Sequence, residues 1–352
     1  MTVHLFPPHF GDLTPDGLDA LPVFIDWISC HQTHPDGCPV INNGQVIKID
    51  SDQQIIFDVG LHMKVEGSYE SSIQIRSDGK RVEFSGNISR FGRRDNLFGF
   101  SLGDTFRRIN HLLNLLDLPP FSLGVRTRFA DSGVKWLDGC TVTRIDLTCN
   151  YLTGSHDNAE ALLRVLSGHH VGRQKGSLRP DGQTIEYGSG SHYVYGKCYI
   201  KGTEMKKHSK KKKGRDTDPD LIDWVINNGV MREEIELKRN YLAQQGLLYL
   251  GEINQSLLYD IYVSRSQLRR FDMVKYEDTN ELPRHLKATY YAWRNGEKIN
   301  LKKSQFYKHR TELIKYGVDI SIPSTVRSIP IRVRTVEIAA LAAPDWYKKK
   351  FG

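Results

Sequence analysis

Polar and apolar residues alternate over three separated stretches of the chain. Each alternation predicts a strand with one apolar and one chemically loaded face. In residues 141–151 (TVTRIDLTCNY), Arg144, Asp146, Thr148 and Asn150 share one face, and Ile145, Leu147 and Cys149 the other. In residues 192–201 (HYVYGKCYIK), Tyr193, Tyr195, Lys197, Tyr199 and Lys201 oppose Val194, Gly196, Cys198 and Ile200. In residues 231–241 (MREEIELKRNY), Arg232, Glu234, Glu236 and Lys238 oppose Ile235 and Leu237. One such strand is ordinarily a half-solvated surface strand. Three of them, each carrying a different part of a phosphoryl-transfer site, point to convergent polar groups.

Other patterns place these stretches in a fold. Residues 23–30 (VFIDWISC) predict a first buried strand. Asp26 within it reads either as a carboxylate satisfied at a strand end or as part of a site. Residues 45–60 and 72–85 predict antiparallel strands, with a hairpin turn at Ser77-Asp78-Gly79-Lys80. The loop 86–99 carries Arg90, Arg93 and Arg94, for solvent or for phosphates. A helix is predicted at 104–117, capped by Asp104, with Phe106, Ile109, Leu112, Leu113 and Leu116 inward and Pro119-Pro120 as its stop. Further helices are predicted at 157–167 and, behind the N-cap Asp218, at 219–228, with a short strand at 183–188.

Beyond about residue 252, helix signals dominate. One helix is predicted at 284–294. A second follows Ser304, with Lys308, His309, Arg310 and Lys315 on its outer side. The pair reads as a helix-turn-helix or as two ordinary helices of a bundle. Residues 330–338 predict a closing strand. The expected fold class is α+β: a nuclease domain with a central, mostly antiparallel sheet flanked by helices, then a smaller helical domain. The expected boundaries are a leader at 1–21, a catalytic domain at 22–250 and a DNA-binding C-terminal domain at 251–352.

Composition narrows the partner. The chain has 352 residues, enough for two cores, and a net charge of +8, which favours a polyanion. After Glu204 comes a cationic run of Lys206, Lys207, Lys210, Lys211, Lys212, Lys213 and Arg215, read as DNA-backbone contact against the plainer reading of a solvated loop. Cys30, Cys38, Cys140, Cys149 and Cys198 form neither a C-x-x-C pair nor a disulfide framework, so a reduced cytoplasmic setting is expected. No run of about 18 apolar residues predicts a membrane span, and no signal peptide is expected.

The polar faces suit phosphodiester chemistry. Asp and Glu supply hard oxygen ligands for Mg²⁺ or Mn²⁺, which polarises a phosphodiester. Arg232, Lys197 or Lys201 would stabilise the developing charge or lower a neighbouring tyrosine's pKa. The ionised phenol is a nucleophile on phosphorus, and its attack conserves the bond energy as a protein–DNA ester. Alternation alone does not choose among Tyr193, Tyr195 and Tyr199.

At these residues the chain resembles the filamentous-phage replication initiators (the gene II protein family, including its Vibrio phage members). It also shares motif logic with the initiators of Gram-positive rolling-circle plasmids. The matching pieces are IDW at 25–27, RVEFSGNISRFGRRDNLFG at 81–99, TRIDLTCNY at 143–151, YIKGTE at 199–204 and MREEIELKRNYL at 231–242. YYAWRNGE at 290–297 and FYKHRTELIKYGVDI at 306–320 complete the series.

The resemblance implies nicking of the plus strand at a phage origin, a 5′-phosphotyrosyl link, a 3′-hydroxyl primer and later rejoining. It implies Tyr199, Lys201 and Glu204 as the family's tyrosine, lysine and acid, with Tyr195 and Lys197 as the alternative and Arg232 assisting. It implies Asp146, Glu234 and Glu236 as the family's acidic positions, binding Mg²⁺ or Mn²⁺ as cofactor; DNA contact by Lys308 and Arg310 is the expectation from the basic second helix of the C-terminal pair. The implied partners are double-stranded origin DNA, single-stranded DNA, a host helicase and polymerase, and further copies at the origin, in the bacterial host cytoplasm. No His-hydrophobe-His triplet occurs. Two other readings stand beside this one: a non-catalytic sequence-specific DNA-binding regulator, and a hydrolytic metal-dependent nuclease.

Overall fold

The computed structural model describes residues 3–4, 22–129, 133–167, 170–171, 174–211, 218–268, 273–275, 282–316, 318–323 and 335–351. Alternation at successive segments builds one twelve-stranded sheet among them. Its strands are β1 (Val3–His4), β2 (Val23–Thr33), β3 (Val40–Ile41), β4 (Met63–Gly67), β5 (Ser71–Asp78) and β6 (Arg81–Gly86). The later ones are β7 (Thr141–Leu152), β8 (Ser177–Leu178), β9 (Thr184–Tyr187), β10 (Val194–Ile200), β11 (Met231–Lys238) and β12 (Ala339–Leu341). Their order is β1-β4-β5-β6-β2-β7-β11-β10-β9-β8, with β3 beside β5 and β12 beside β7. Every pairing is antiparallel except β1 with β4. The α+β class expected from the sequence is the class observed.

The β5–β6 turn falls where the sequence put it. Gly79 takes φ 97°, and the Asp78 carboxylate accepts the backbone N–H groups of Lys80 and Arg81. Helix α1 (Leu102–Asn114) starts earlier than expected, because Ser101 and not Asp104 is its N-cap. The Ser101 hydroxyl accepts the Asp104 N–H at 3.2 Å and donates to the Asp104 carboxylate at 2.8 Å, so Asp104 supports the cap from inside the first turn. Ser155 caps α2 (His156–Leu166). Helix α3 (Lys201–Lys211) follows β10 without a loop, and α4 (Pro219–Asn227) has the expected Asp218 cap. Strand β11 stops at Lys238, three residues short of the expected end, where the chain turns into α5 (Arg239–Gln244).

One apolar face of the sheet contributes Ile145, Leu147 and Cys149 of β7 to a core shared with Ile109 of α1 and Leu162 of α2. Helix α6 (Gln255–Arg265) adds Leu258, Ile261 and Tyr262 to that same core, so residues beyond 250 help to build it. A second cluster joins Leu97, Met205, Leu221, Val225, Leu341 and Tyr347, the last from α9 (Asp345–Phe351). A third, around Leu286, Tyr290, Leu313 and Ile320, holds α7 (Arg284–Arg294) against α8 (Lys303–Ile314).

The α7–α8 pair departs from a helix-turn-helix. Residues 295–302 separate the helices, longer than the three- or four-residue turn of that motif. Arg310 is not presented outward: Asp319 grips its guanidinium with two hydrogen bonds of 2.6 Å. Lys308 is exposed. Among the described residues no helix is long and apolar enough to cross a membrane, and none of the five cysteines is in a disulfide. Of the expected closing strand at 330–338, residues 330–334 lie outside the described residues, and Thr335–Glu337 pairs with Met273–Lys275.

Candidate functional site

The three alternating stretches, far apart in sequence, become neighbours in the order β7-β11-β10. Cross-strand register aligns Asp146 with Glu236, Thr148 with Glu234 and Asn150 with Arg232. On the other side it aligns Tyr195 with Glu236, Lys197 with Glu234 and Tyr199 with Arg232. Because side chains alternate, all of these point to one face of the sheet. The convergence inferred from three separate polar faces is therefore present.

At its centre the Tyr199 hydroxyl donates to Glu234 Oε1 at 2.5 Å, and Lys197 Nζ lies 2.7 Å from Glu234 Oε2. Arg232 is fully buried, with Nε on Asn150 Oδ1 at 2.9 Å and one terminal nitrogen on the carbonyls of Asn96 and Leu97 at 2.6 and 2.7 Å. Its other terminal nitrogen has no hydrogen-bond partner and lies 3.8 Å from Asp26 Oδ1. Asn96 links the parts: its amide donates to Asp26 at 3.1 Å and its side-chain oxygen accepts from Lys201 Nζ at 3.1 Å. Lys201 also donates to Glu204 at 2.8 Å.

These contacts set the charge states. Burial would raise Glu234, but Lys197 and Arg232 outweigh it and hold the carboxyl below its usual range. Burial would likewise raise Glu204, and Lys201 holds it at about 2. Asp26 is pushed up by burial and then by the charge of Glu234. Lys201 is pulled down by burial and by Arg232. Tyr199 moves against the sequence expectation. Burial and the facing Glu234 push its phenol well above the usual value, with only Arg232 opposing among its main influences. The resting phenol is therefore neutral. Tyr195 is engaged elsewhere, donating to Glu186 Oε1 at 2.5 Å, and burial pushes it up as well.

The three expected metal-binding acids share the face, but each is already occupied by cations. Asp146 accepts two hydrogen bonds from Arg144, at 2.8 and 2.6 Å. Glu236 lies 3.3 Å from Arg144 and 3.6 Å from Lys238, and Glu234 is held by Lys197. Burial, with the charges of Glu236 and Glu234, pushes Asp146 up to about 7 against the pull of Arg144. Among the described residues no three His, Cys, Asp or Glu side chains are grouped to hold an ion. The donor atoms are of the right kind for Mg²⁺ or Mn²⁺, but Asp146, Glu234 and Glu236 as paired do not form its site.

The loop arginines are also spoken for. Arg90 donates to the Tyr69 carbonyl at 2.8 Å, and Arg93 to the carbonyls of Ser89 and Phe98 at 2.9 and 2.8 Å, so both brace the loop that carries Asn96. Lys206 and Lys207 are exposed on α3, with Lys207 3.0 Å from Asp181. The backbone of Lys210 and Lys211 continues that helix; Lys212, Lys213 and Arg215 lie outside the described residues.

A cleft of about 330 Å³ opens beside Tyr199, walled by Tyr195, Lys197, Gln183, Thr203, Glu204 and Lys207 among others. Sequence reasoning missed Asn96, Glu186 and Gln183 as parts of this region. Asn96 and Gln183 sit in loops and Glu186 on a four-residue strand, so no long alternation marked them. Asp26, read from the sequence either as a satisfied carboxylate or as part of a site, contacts both Asn96 and Arg232.

Fold and site define an α+β protein with a buried tyrosine–carboxylate–lysine cluster on its central sheet, opening to a cleft. Comparison with known proteins then places it. Residues 24–256 match the family model for the N-terminal part of the phage replication-associated protein, the gene II protein, and residues 275–351 match the model for its C-terminal part. The chain belongs to this family of phage replication-associated proteins. It is 28% identical over 313 residues to the replication-associated protein of Escherichia phage If1, spanning 78% of this chain and 96% of that one. It is 22% identical over 351 residues to the replication-associated protein of Enterobacteria phage I2-2, spanning 92% and 96%. A solved rolling circle replication initiator protein from Geobacillus stearothermophilus matches 65% of this chain and 79% of that one, at 14% identity and a TM-score of 0.27, too low to bear on the fold.

Proposed function

We propose that the protein initiates rolling-circle replication at a phage origin. It nicks the plus strand by attack of Tyr199, holds the 5′ phosphate as a phosphotyrosyl ester, leaves a 3′-hydroxyl primer and later rejoins the displaced strand. The observation that carries this reading is the 2.5 Å hydrogen bond from the Tyr199 hydroxyl to Glu234, a carboxylate kept ionised by Lys197 and Arg232.

In this reading Glu234 is the base. It takes the phenolic proton as Tyr199 oxygen bonds to phosphorus. The bond from phosphorus to the 3′ oxygen breaks, and that oxygen leaves with a proton from solvent. Lys197 offsets charge on the phosphate oxygens, and Arg232 does so from below the cluster. Lys201 positions the Asn96 loop and Glu204. Tyr195, held by Glu186, is the alternative nucleophile and the candidate for a second cut. The lysines of α3 hold the DNA backbone. Duplex origin DNA, single-stranded DNA, a host helicase and polymerase, and further copies at the origin are the partners this activity calls for.

The test is to incubate the protein with supercoiled origin plasmid and Mg²⁺, run the product on a denaturing gel with and without protease, and map the DNA-linked peptide by mass spectrometry. A protease-sensitive adduct through Tyr199 is expected. A link through Tyr195 would reassign the nucleophile, and nicking without an adduct would make water the nucleophile.

A further inference from the structure

The cleft beside Tyr199 holds a side chain with no part in the chemistry so far. Gln183 donates from Nε2 to Glu160 Oε1 of α2 at 3.0 Å, and its Oε1 accepts from the Thr203 hydroxyl of α3 at 3.0 Å. Glu160, as a carboxylate, can only accept, so the amide nitrogen must face it and the oxygen must face Thr203. The amide is thus locked in one orientation from two helices. Each end keeps spare capacity, one N–H on the nitrogen and one lone pair on the oxygen.

A donor beside an acceptor, fixed in place, is the arrangement that reads the N6 and N7 edge of adenine with two hydrogen bonds. The cleft volume of about 330 Å³ lies at the small end of ligand sites, room for one nucleotide and not for a base pair. The wall of the cleft also has exchangeable cations. Lys207 is paired with Asp181, with their side chains 51% and 45% exposed, and Arg179 is paired with Glu186. The first pair is exposed on both sides and weak, so an entering phosphate can take Lys207, while Arg179, itself half-exposed, adds positive charge to the wall.

We infer that this cleft seats one unpaired nucleotide next to the scissile phosphate and that Gln183 reads its base, selecting adenine. The inference rests on the proposed nicking site for its place beside the reaction, but base selection is measurable by binding alone. The probes are single-stranded (dA)₉, (dT)₉ and (dC)₉, which put the same base in the cleft whatever the register. Binding is followed by fluorescence anisotropy.

The unaltered protein should bind (dA)₉ about tenfold more tightly than the other two, and Gln183→Met should bring all three within about twofold. Lys207→Ala should weaken all three alike. Thr203→Val, which removes only the group orienting the amide oxygen, should narrow the preference without abolishing it, and thermal melts check that each variant is folded. No preference in the unaltered protein, or the same preference in a folded Gln183→Met, overturns the assignment. Persistence of the covalent adduct in Tyr199→Phe would overturn the nicking assignment and leave the nonamer comparison intact.

Discussion

Glu233 and Glu234 are consecutive residues of β11, both almost fully buried, yet they sit on opposite faces of the sheet in opposite chemical settings. Glu233 faces the core. Its carboxylate accepts from Tyr262 at 2.8 Å, from Ser266 at 2.5 Å and from the Gln267 N–H at 2.7 Å, all neutral donors. Burial there outweighs the hydrogen bonds and raises its pKa. Glu234 faces the site, where cations overcome burial and lower its pKa. Neutral donors fix a carboxylate in place and tie the end of α6 to the sheet. Cationic partners keep it charged and can be shared with an incoming phosphate. One strand thus carries, side by side, an acid held by neutral donors and an acid held by cations.

The largest effect should come from breaking the chemical side. Tyr199→Phe should abolish the covalent adduct while origin binding survives. Glu234→Gln, which keeps an acceptor for the phenol but is no base, should slow nicking about 100- to 10,000-fold. Gel assays of adduct formation measure both, and full activity in Glu234→Gln would assign the base elsewhere. On the architectural side, Glu233→Ala removes the acceptor of three buried donors, of which Tyr262 and Ser266 keep the Tyr151 hydroxyl, and should cost about 3 kcal/mol, read by urea unfolding. Glu234→Gln should cost less, because Lys197 reaches solvent and Arg232 keeps its carbonyl partners. A reversed ranking would erase the distinction.

The pH dependence sharpens the comparison. A carboxyl with a raised folded pKa binds its proton more tightly when folded, so stability falls as pH rises from the unfolded value, about 4 for Asp, towards the folded one. For Asp146 that window ends near 7. Glu234, with a lowered pKa, tilts the other way: its contribution is present above the ordinary carboxylate range and is lost as pH falls through the folded value. Asp146→Asn should therefore remove a decline in unfolding free energy between about pH 4 and 7, measured by denaturant titrations across that range; an unchanged slope would count against the raised pKa. The smallest effect is at the surface: Lys206→Ala with Lys207→Ala should weaken DNA binding for all sequences and reduce the salt slope by about 1 to 2, seen in a salt titration.

The polar faces of β7, β10 and β11 were legible in the sequence because a period of two survives any fold. Their adjacency was not written in any one stretch; it came from their sharing complementary chemistry. Asp26, Asn96 and Lys201 meet only in three dimensions, 70 and 105 residues apart across their two hydrogen bonds, so no local pattern could join them. Lys201 looked like the last residue of a strand and is the first of a helix, since alternation does not mark where a buried lysine turns the chain. The loop arginines read as equally suited to solvent or phosphate, because sequence does not show which carbonyls lie within reach. Glu233 drew no attention, since its partners Tyr262 and Ser266 lie 29 and 33 residues downstream.

Tyr347 of α9 donates to Asp95 at 2.7 Å and takes a hydrogen bond from Arg93, next to the Asn96 that steadies Asp26 and Lys201. The loop is made early in synthesis and its clamp some 250 residues later. A ribosome-bound chain therefore carries Asp26, Asn96, Tyr199 and Glu234 before it carries the residue that braces the loop beside them.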